Sequence, residues 1–482
     1  MVSQKQTFHL PFHHLPLPQE QHAVTTAPSG IQVYPTPFGM GMGIRPLAVP
    51  APEAREAKIT IIYADVLIPG DGEPLADAAL VISDKTIAYV GSPAAIPKRY
   101  LRSNRQTSHH VPVLMPGLWD AHIHFGGVDN FYFDYTAFLA THPASAGARL
   151  ARDCWEALQR GYTSVRDVAG YGCEVSRAII DGSIVGPNIY ACGGGLSQTG
   201  GHGDVFGMPV SDVYAHFGVQ SPPYEAGQIC IVDGVDEARR AVRMQIRRGA
   251  KVIKVMASGG VMSRDDNPMY AQFAPEELRV IVEEAGRQGR IVAAHCHGKA
   301  GIMAALEAGC KTLEHVSFAD AEVFALMKEK KVAYVATRWV IDMMLETKGI
   351  GMVPESWAKL KMTAAAHLEA YQGAIKAGVP MVMGIDGPPG AWSAYELEAA
   401  VKAGMTPLEA IKAATANGPL CVGTEMAPLT GQLQVGYEAD IIALEENPIK
   451  DIRVLQDEKV ITHVWKTGRL YKGPGVGPWG EK

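Results

Sequence analysis

Between residues 113 and 426 the chain alternates, eight times over, an apolar run of strand length with a segment of helical texture, and this alternation constrains the fold more than any other feature. The strand candidates are VLMPGLWDAHIHF, GYTSVRDVAG, NIYACGGGL, AKVIKVMASGG, RIVAAHCHG, KTLEHVSF, KVAYVATRWV and VPMVMGIDG. Segments such as VDEARRAVRMQIRRGA, APEELRVIVEEAGRQG and ESWAKLKMTAAAHLEAYQGAIKAG lie between them, several closed by a glycine of the kind that stops a helix. Eight repeats of strand and helix predict an α/β protein built on a (β/α)8 TIM-like barrel. A doubly wound open sheet alternates in the same way, but the polar residues discussed below favour the barrel.

The two ends have a different texture. KITIIYADVLI and AALVISDKTIAYVG, separated by the turn-forming PGDGEPLAD, are answered near the far end by DIIALEENP and KVITHVWKTGRLYKG. These runs predict a small discontinuous β-sandwich domain made of residues 58–112 and 427–482, with the barrel at 113–426 inserted between. Residues 1–57, rich in Pro, Gly, Gln and His without a sustained period, read as an N-terminal arm or linker, and its His9, His13, His14 and His22 as solvated tail.

Charge and cysteine content narrow the function classes. Forty-four basic and 50 acidic side chains leave a net charge of −6, so the overall balance attracts neither nucleic acid nor anionic lipid. Arg239, Arg240, Arg243, Arg247 and Arg248 share one helix, yet no reading motif or interleaved aromatics accompany them, and the helix reads as a solvated outer one. Seven scattered cysteines, an odd number, argue for buried free thiols over a disulfide framework. No run approaches the ~18 apolar residues of a membrane span, so no membrane partner is expected. As written the chain shows no leader and is expected to be soluble and cytoplasmic; secretion stays open for a chain whose leader is missing.

Polar residues cluster at the ends of the strand candidates, where barrel enzymes keep their chemistry. In Asp120-Ala121-His122-Ile123-His124 the two histidines share a strand face, and Asp120 can support them from one layer below. His295 and His297 repeat the pattern around Cys296, His315 closes the sixth strand, and Asp386 follows the eighth. Lys254 stands in an otherwise apolar stave, where an amine is costly without a task; Lys251, on the opposite face, reads as the solvated one. Each residue alone could be a buried hydrogen-bonded group. Together, five imidazoles, a lysine and a carboxylate without clustered thiolates predict a site for Zn²⁺ or a similar divalent ion.

The ordered set DAHIH, interior lysine, AHCHG, EHVSF and terminal aspartate resembles the amidohydrolase superfamily, in the branch of imidazolonepropionase-like hydrolases and metal-dependent Xaa-Pro dipeptidases. The resemblance runs from about residue 58 to the end and is tightest, towards fungal members of the branch, in KVIKVMASGGVMSRDDNP, LATHPASAGARLAR, EAYQGAIKAG and GPWGE. It implies two divalent metal ions, one held by His122 and His124 with Asp386 near it, the other by His295 and His315, bridged by Lys254 as N6-carboxylysine. It implies hydrolysis of the amide of an N-acyl amino acid or dipeptide, including a mycotoxin amide such as ochratoxin A, with Asp386 as the proton carrier. It also implies a homo-oligomer, plausible as an octamer. The eighth strand reads GID where the family commonly has GTD, so a hydroxyl beside the aspartate is missing.

His297, on the ligand face but beyond the ligand count, is a candidate to steady the oxyanion or to support a ligand. The carboxylate of an amino-acid leaving group calls for a cation; Arg338 at the end of the seventh strand is the first candidate and Arg264 the second. The glycine-rich run from Gly193 to Gly203 lacks the GK[ST] of a phosphate loop and reads as a flexible active-face loop that brings His202 near substrate. Two other readings remain at this point: a prolidase-like peptidase, and a non-catalytic oligomeric scaffold on the same fold.

Overall fold

A computed structural model describes residues 56–128, 136–220, 228–390, 392–427 and 429–481, and the backbone of three short strands before them. The chain divides into two compact units, Met1–Glu56 and Ala57–Lys482. In the first, β1 (Thr25–Thr26), β2 (Gln32–Pro35) and β3 (Met42–Ile44) pair antiparallel in the order β1-β2-β3. The four histidines of the predicted arm lie outside the described residues.

In the second unit both chain ends build one sheet of seven strands. β4 (Ile59–Leu67), β5 (Leu75–Ser83), β6 (Thr86–Gly91) and β7 (Gln106–Pro116) come from the front, and β18 (Ile441–Leu444), β19 (Ile461–Lys466) and β20 (Arg469–Lys472) from the back. The order is β20-β19-β18-β7-β4-β5-β6, with β4 and β7 parallel and the other pairs antiparallel. Alternate residues turn one face of each strand inward, and Ile62, Leu80 and Val111 from the front share a single core with Ile441, Ala443 and Trp465 from the back. The run AALVISDKTIAYVG is split at Asp84, which takes φ 52° and turns the chain from β5 into β6.

The run VLMPGLWDAHIHF is likewise divided, between β7 and the first barrel stave β8 (Leu118–Ile123). The division falls at Gly117, where a Cβ would stand 2.1 Å from Thr163 Oγ1. Only glycine lets the strand leave one sheet and enter the other so close to its neighbour. From there the staves follow in order: β9 (Tyr162–Asp167), β10 (Asn188–Ala191) continued by β11 (Gly195–Ser197), β13 (Ile253–Met256), β14 (Val292–Cys296), β15 (Thr312–His315), β16 (Ala333–Val335) and β17 (Met381–Val382). All their pairings are parallel, and β12 (Ile229–Ile231) adds a short parallel strand outside β11.

The ring closes where Ile123 bridges Gly387, Ala121 N donates to Met383 O (2.8 Å) and Asp386 N donates to His122 O (2.8 Å). Helices pack outside it, and apolar side chains of staves and helices form one continuous core, with Val165, Val255, Leu313 and Tyr334 among its buried members. Removal of that surface from water is the main force holding the barrel together. All seven cysteines are buried and free. The basic helix, Gly234–Arg248, lies against the helix Pro275–Gly286; Arg243 pairs with Glu284 (2.8 Å), Arg248 with Glu174 (3.1 Å) and Arg239 with Asp236 (3.0 Å).

One assignment changes. Arg338 does not end the seventh strand: β16 stops at Val335, Thr337 turns left-handed at φ 53°, and Arg338 opens the helix Arg338–Glu346.

Candidate active site

The stave ends surround a cavity of ≈ 110 Å³ lined by His122, His124, His202, Lys254, His295, His297, His315 and Asp386, together with Gln228 and an apolar wall. Parallel staves all point their C-terminal ends to one side, so residues more than 250 positions apart in sequence meet here. Two of them sit on bent backbone: His315 has φ 70° and Asp386 φ 59°. Left-handed backbone is uncommon outside glycine and concentrates where a structure holds a side chain to a task.

One cluster gathers ligand atoms of His295, His297 and His315 within 4.8 Å of one another, and a second gathers His122, His315 and Asp386. His295 lies 4.6 Å from His315 and 4.8 Å from His297, ring centre to ring centre. Asp386 Oδ1 is 3.1 Å from His124 Nε2 and 3.4 Å from His122 Nε2. Four of the imidazoles are held through Nδ1. His122 Nδ1 meets Glu314 Oε2 (2.8 Å), His124 Nδ1 the Ala169 carbonyl (3.0 Å), His297 Nδ1 Ser317 Oγ (2.7 Å) and His315 Nδ1 Thr337 Oγ1 (2.7 Å). Asp120 Oδ1 accepts from the backbone N–H of His122 (3.1 Å) and of Ile385 (3.2 Å), tying the first stave to the residue before Asp386.

Burial governs the protonation states. It pushes His295 and His315 well below the usual imidazole range and His297 down to about 3, so all three are neutral near pH 7 and offer a lone pair. Burial also lowers Lys254, against the pull of Glu314; the amine lines the cavity with no hydrogen-bond or ion-pair partner among the described residues. Asp386 would be raised by burial, but His122 and His124 outweigh it and hold the carboxylate well below its usual range. Neutral imidazoles, an ionised carboxylate and an unpaired interior amine are a donor set that suits a divalent cation.

His202 reaches the cavity from the glycine-rich run and stacks on His295 at 4.1 Å. That run is not a free loop. Gly195–Ser197 is strand, Gly194 N donates to Gln245 Oε1 (2.9 Å), and His202 N donates to Gln272 Oε1 (3.0 Å). Gly260 leaves room for the imidazole, since a Cβ there would stand 1.9 Å from His202 Nδ1. His202 Nδ1 lies 2.9 Å from Ser263 Oγ, and Ser263 is held by Asp266, itself paired with Lys359 at 2.9 Å.

The two arginines do not reach the cavity. Arg338 is buried, with Nη1 donating to Ala364 O (2.8 Å) and Nε to Asp342 Oδ2 (3.2 Å); Arg264 is exposed. Residues that the sequence reading did not single out complete the site. Arg166 and Glu314 form a fully buried ion pair (2.8 Å) behind His122, and Val261, Val340, Ile341, Met344 and Leu360 make the apolar wall. A charged residue inside an apolar stave was the available signal for Arg166 and Glu314, the same signal that marked Lys254.

A family model described as the amidohydrolase family matches residues 113–471, and the chain belongs to that family. It is a hydrolytic enzyme of a metal-dependent family, with the fold the sequence predicted. Among known proteins it is similar to the ochratoxinase of Aspergillus niger, with 67% identity over 453 residues, 93% of this chain and 94% of the relative. The crystal structure of that A. niger ochratoxinase superposes with a TM-score of 0.85 at 68% identity, covering 89% of this chain and 99% of the other. A crystal structure of a Xaa-Pro dipeptidase with bound methionine in its active site gives 0.75 at 28% identity, covering 86% and 100%.

Proposed function

We propose that this chain hydrolyses the amide bond of N-acyl amino acids with an aromatic or otherwise apolar body, ochratoxin A among them, releasing ochratoxin alpha and L-phenylalanine. The observation that carries the reading is the meeting of six histidines, one unpaired lysine and one carboxylate around a single cavity with an apolar wall. The 67% identity to a protein named ochratoxinase supports the particular substrate.

His122 and His124 would hold one divalent ion and His295 and His315 the other, with Asp386 beside the first. Lys254, kept towards its neutral amine by burial, would add carbon dioxide at Nζ with release of one proton, giving a carbamate anion that could serve as a carboxylate ligand to the ions. Zn²⁺ suits this nitrogen and oxygen donor set. When bound, the two ions supply Lewis acidity at the amide carbonyl and lower the pKa of the attacking water. Asp386, held ionised by His122 and His124, would accept the proton of that water and pass it to the leaving nitrogen. His297 steadies the carbonyl oxygen as it gains charge; for this Nε2 must carry the proton, so Nδ1 accepts from the Ser317 hydroxyl.

Among the described residues Lys254 is the only lysine or arginine of the lining, and in this proposal it serves the ions. The substrate carboxylate is therefore met by neutral donors, His202 and Gln228, instead of Arg338 or Arg264. Val340, Ile341, Met344 and Leu360 receive the apolar body. The homo-oligomer implied by the family resemblance belongs to the same proposal.

A panel of N-acyl amino acids assayed with added zinc tests the reading. Turnover of ochratoxin A and of N-acyl-phenylalanines, well above any Xaa-Pro dipeptide, is expected. The dipeptidase structure among the relatives gives the second reading its weight, and a preference for prolyl leaving groups would favour it.

A further inference from the structure

The ion pair behind His122 is built to aim that imidazole. Glu314 and Arg166 are both fully buried, on β15 and β9, and Arg166 Nη2 lies 2.8 Å from each oxygen of the carboxylate. Oε1 also accepts from Thr312 Oγ1 (2.7 Å), so Oε2 is left to take His122 Nδ1–H (2.8 Å). Arg166 is fixed in turn: it donates to the carbonyls of Ala121 and Cys421 and to Thr312 Oγ1 (2.8 Å). The network spans three staves and the short 3-10 helix that ends at Cys421. Its charges also act on Lys254, but its hydrogen bond to the cavity lining is made to His122 Nδ1, and with that nitrogen bound the ring presents Nε2 towards Asp386 at 3.4 Å.

We infer that Arg166 and Glu314 are positioning residues: acting through Nδ1, they fix the tautomer and orientation of His122 so that Nε2 is the atom offered to a divalent cation. The inference rests on the metal reading proposed above. Fold stability is a weak reason for keeping such a pair, because well-packed apolar residues of similar volume often replace a buried ion pair without loss. An arginine is needed to hold the carboxylate at two points while leaving one lone pair for the histidine.

The test compares wild type with two double variants, Arg166→Met with Glu314→Leu and Arg166→Met with Glu314→Gln. Each is freed of metal, checked for its melting temperature, reloaded with zinc and titrated with a competing chelator. Metal-free melting temperatures close to wild type are expected for both. The leucine form is expected to hold its zinc about tenfold or more weakly, and the glutamine form to recover most of that loss because its amide oxygen accepts from Nδ1–H. Equal zinc affinity in the leucine form and wild type would overturn the inference, as would equal weakening in both variants, the mark of a merely structural role. A wild type that takes up no zinc would remove the metal reading and this inference together. ¹⁵N-histidine NMR of metal-free wild type gives a readout that no variant has to fold for: His122 with its proton on Nδ1 is expected, and a proton on Nε2 would overturn the inference.

Discussion

In the proposed mechanism Asp386 must stay ionised in a buried setting and face the leaving nitrogen. His122 and His124 lie beside its carboxylate and hold the charge, and the residue sits on left-handed backbone after the eighth stave. Asp386→Asn keeps the shape and an oxygen ligand but removes the proton acceptor. A fall in kcat of about 10² to 10⁴ is expected with zinc content unchanged, measured by turnover and metal analysis on the same sample. Full activity in that variant would end the assigned role. His367 makes a residue-scale prediction away from the reacting groups. It is completely buried, with Nε2 against the Ala336 carbonyl (2.8 Å), and burial, helped by Arg338, lowers its pKa to about 3. The folded state therefore refuses a proton that the unfolded chain accepts below pH ~6.5. Its contribution to stability is complete above that value and is lost as pH falls towards 3. Between pH 7 and pH 5 this one group costs the metal-free protein about 2 kcal/mol. Unfolding free energies from urea titrations at the two pH values should differ by that amount more in wild type than in His367→Asn.

At the scale of elements, the glycine between β7 and β8 joins the small sheet to the barrel. Gly117→Ala would drive a Cβ into the Thr163 side chain, and a loss of ~1–3 kcal/mol is expected from such overpacking, read by chemical denaturation. Thr163→Ala in the same chain should recover most of it, because the three nearest atoms to the added Cβ all belong to Thr163. The eight staves were legible in the sequence because buried parallel strands are continuous apolar runs and helices between them end on glycine. The site was legible because imidazoles two apart share a strand face and an isolated lysine in an apolar run is conspicuous. Arg338 was placed on the seventh strand because ATRWV reads as one β-rich run; nothing in it shows that Thr337 turns left-handed. Arg166 and Glu314 escaped because their purpose lies across the ring, in a bond to His122 that local spacing does not reveal. The apolar wall escaped for the same reason: Met344 and Leu360 belong to helices that meet the site only in three dimensions.

The whole molecule places few charges where they matter. A chain of net charge −6 keeps six imidazoles, one lysine and one aspartate at one end of a barrel. Its seven cysteines are buried and free, and no helix of the described residues is long and apolar enough to cross a membrane. The sheet made from both chain ends is joined to the barrel by backbone hydrogen bonds, Gly117 N donating to Asp440 O (2.9 Å). In the proposed mechanism His122, His124, Lys254, His295, His315 and Asp386 together hold two cations that drive amide hydrolysis. The most direct measurement is a zinc titration of chelated protein, in the presence of bicarbonate, with the rate of ochratoxin A hydrolysis followed against zinc bound per chain. No activity is expected at zero and a plateau at two. A chelated chain that hydrolyses at the full rate, or a chain that binds two zinc ions and cleaves no N-acyl amino acid, would contradict that mechanism.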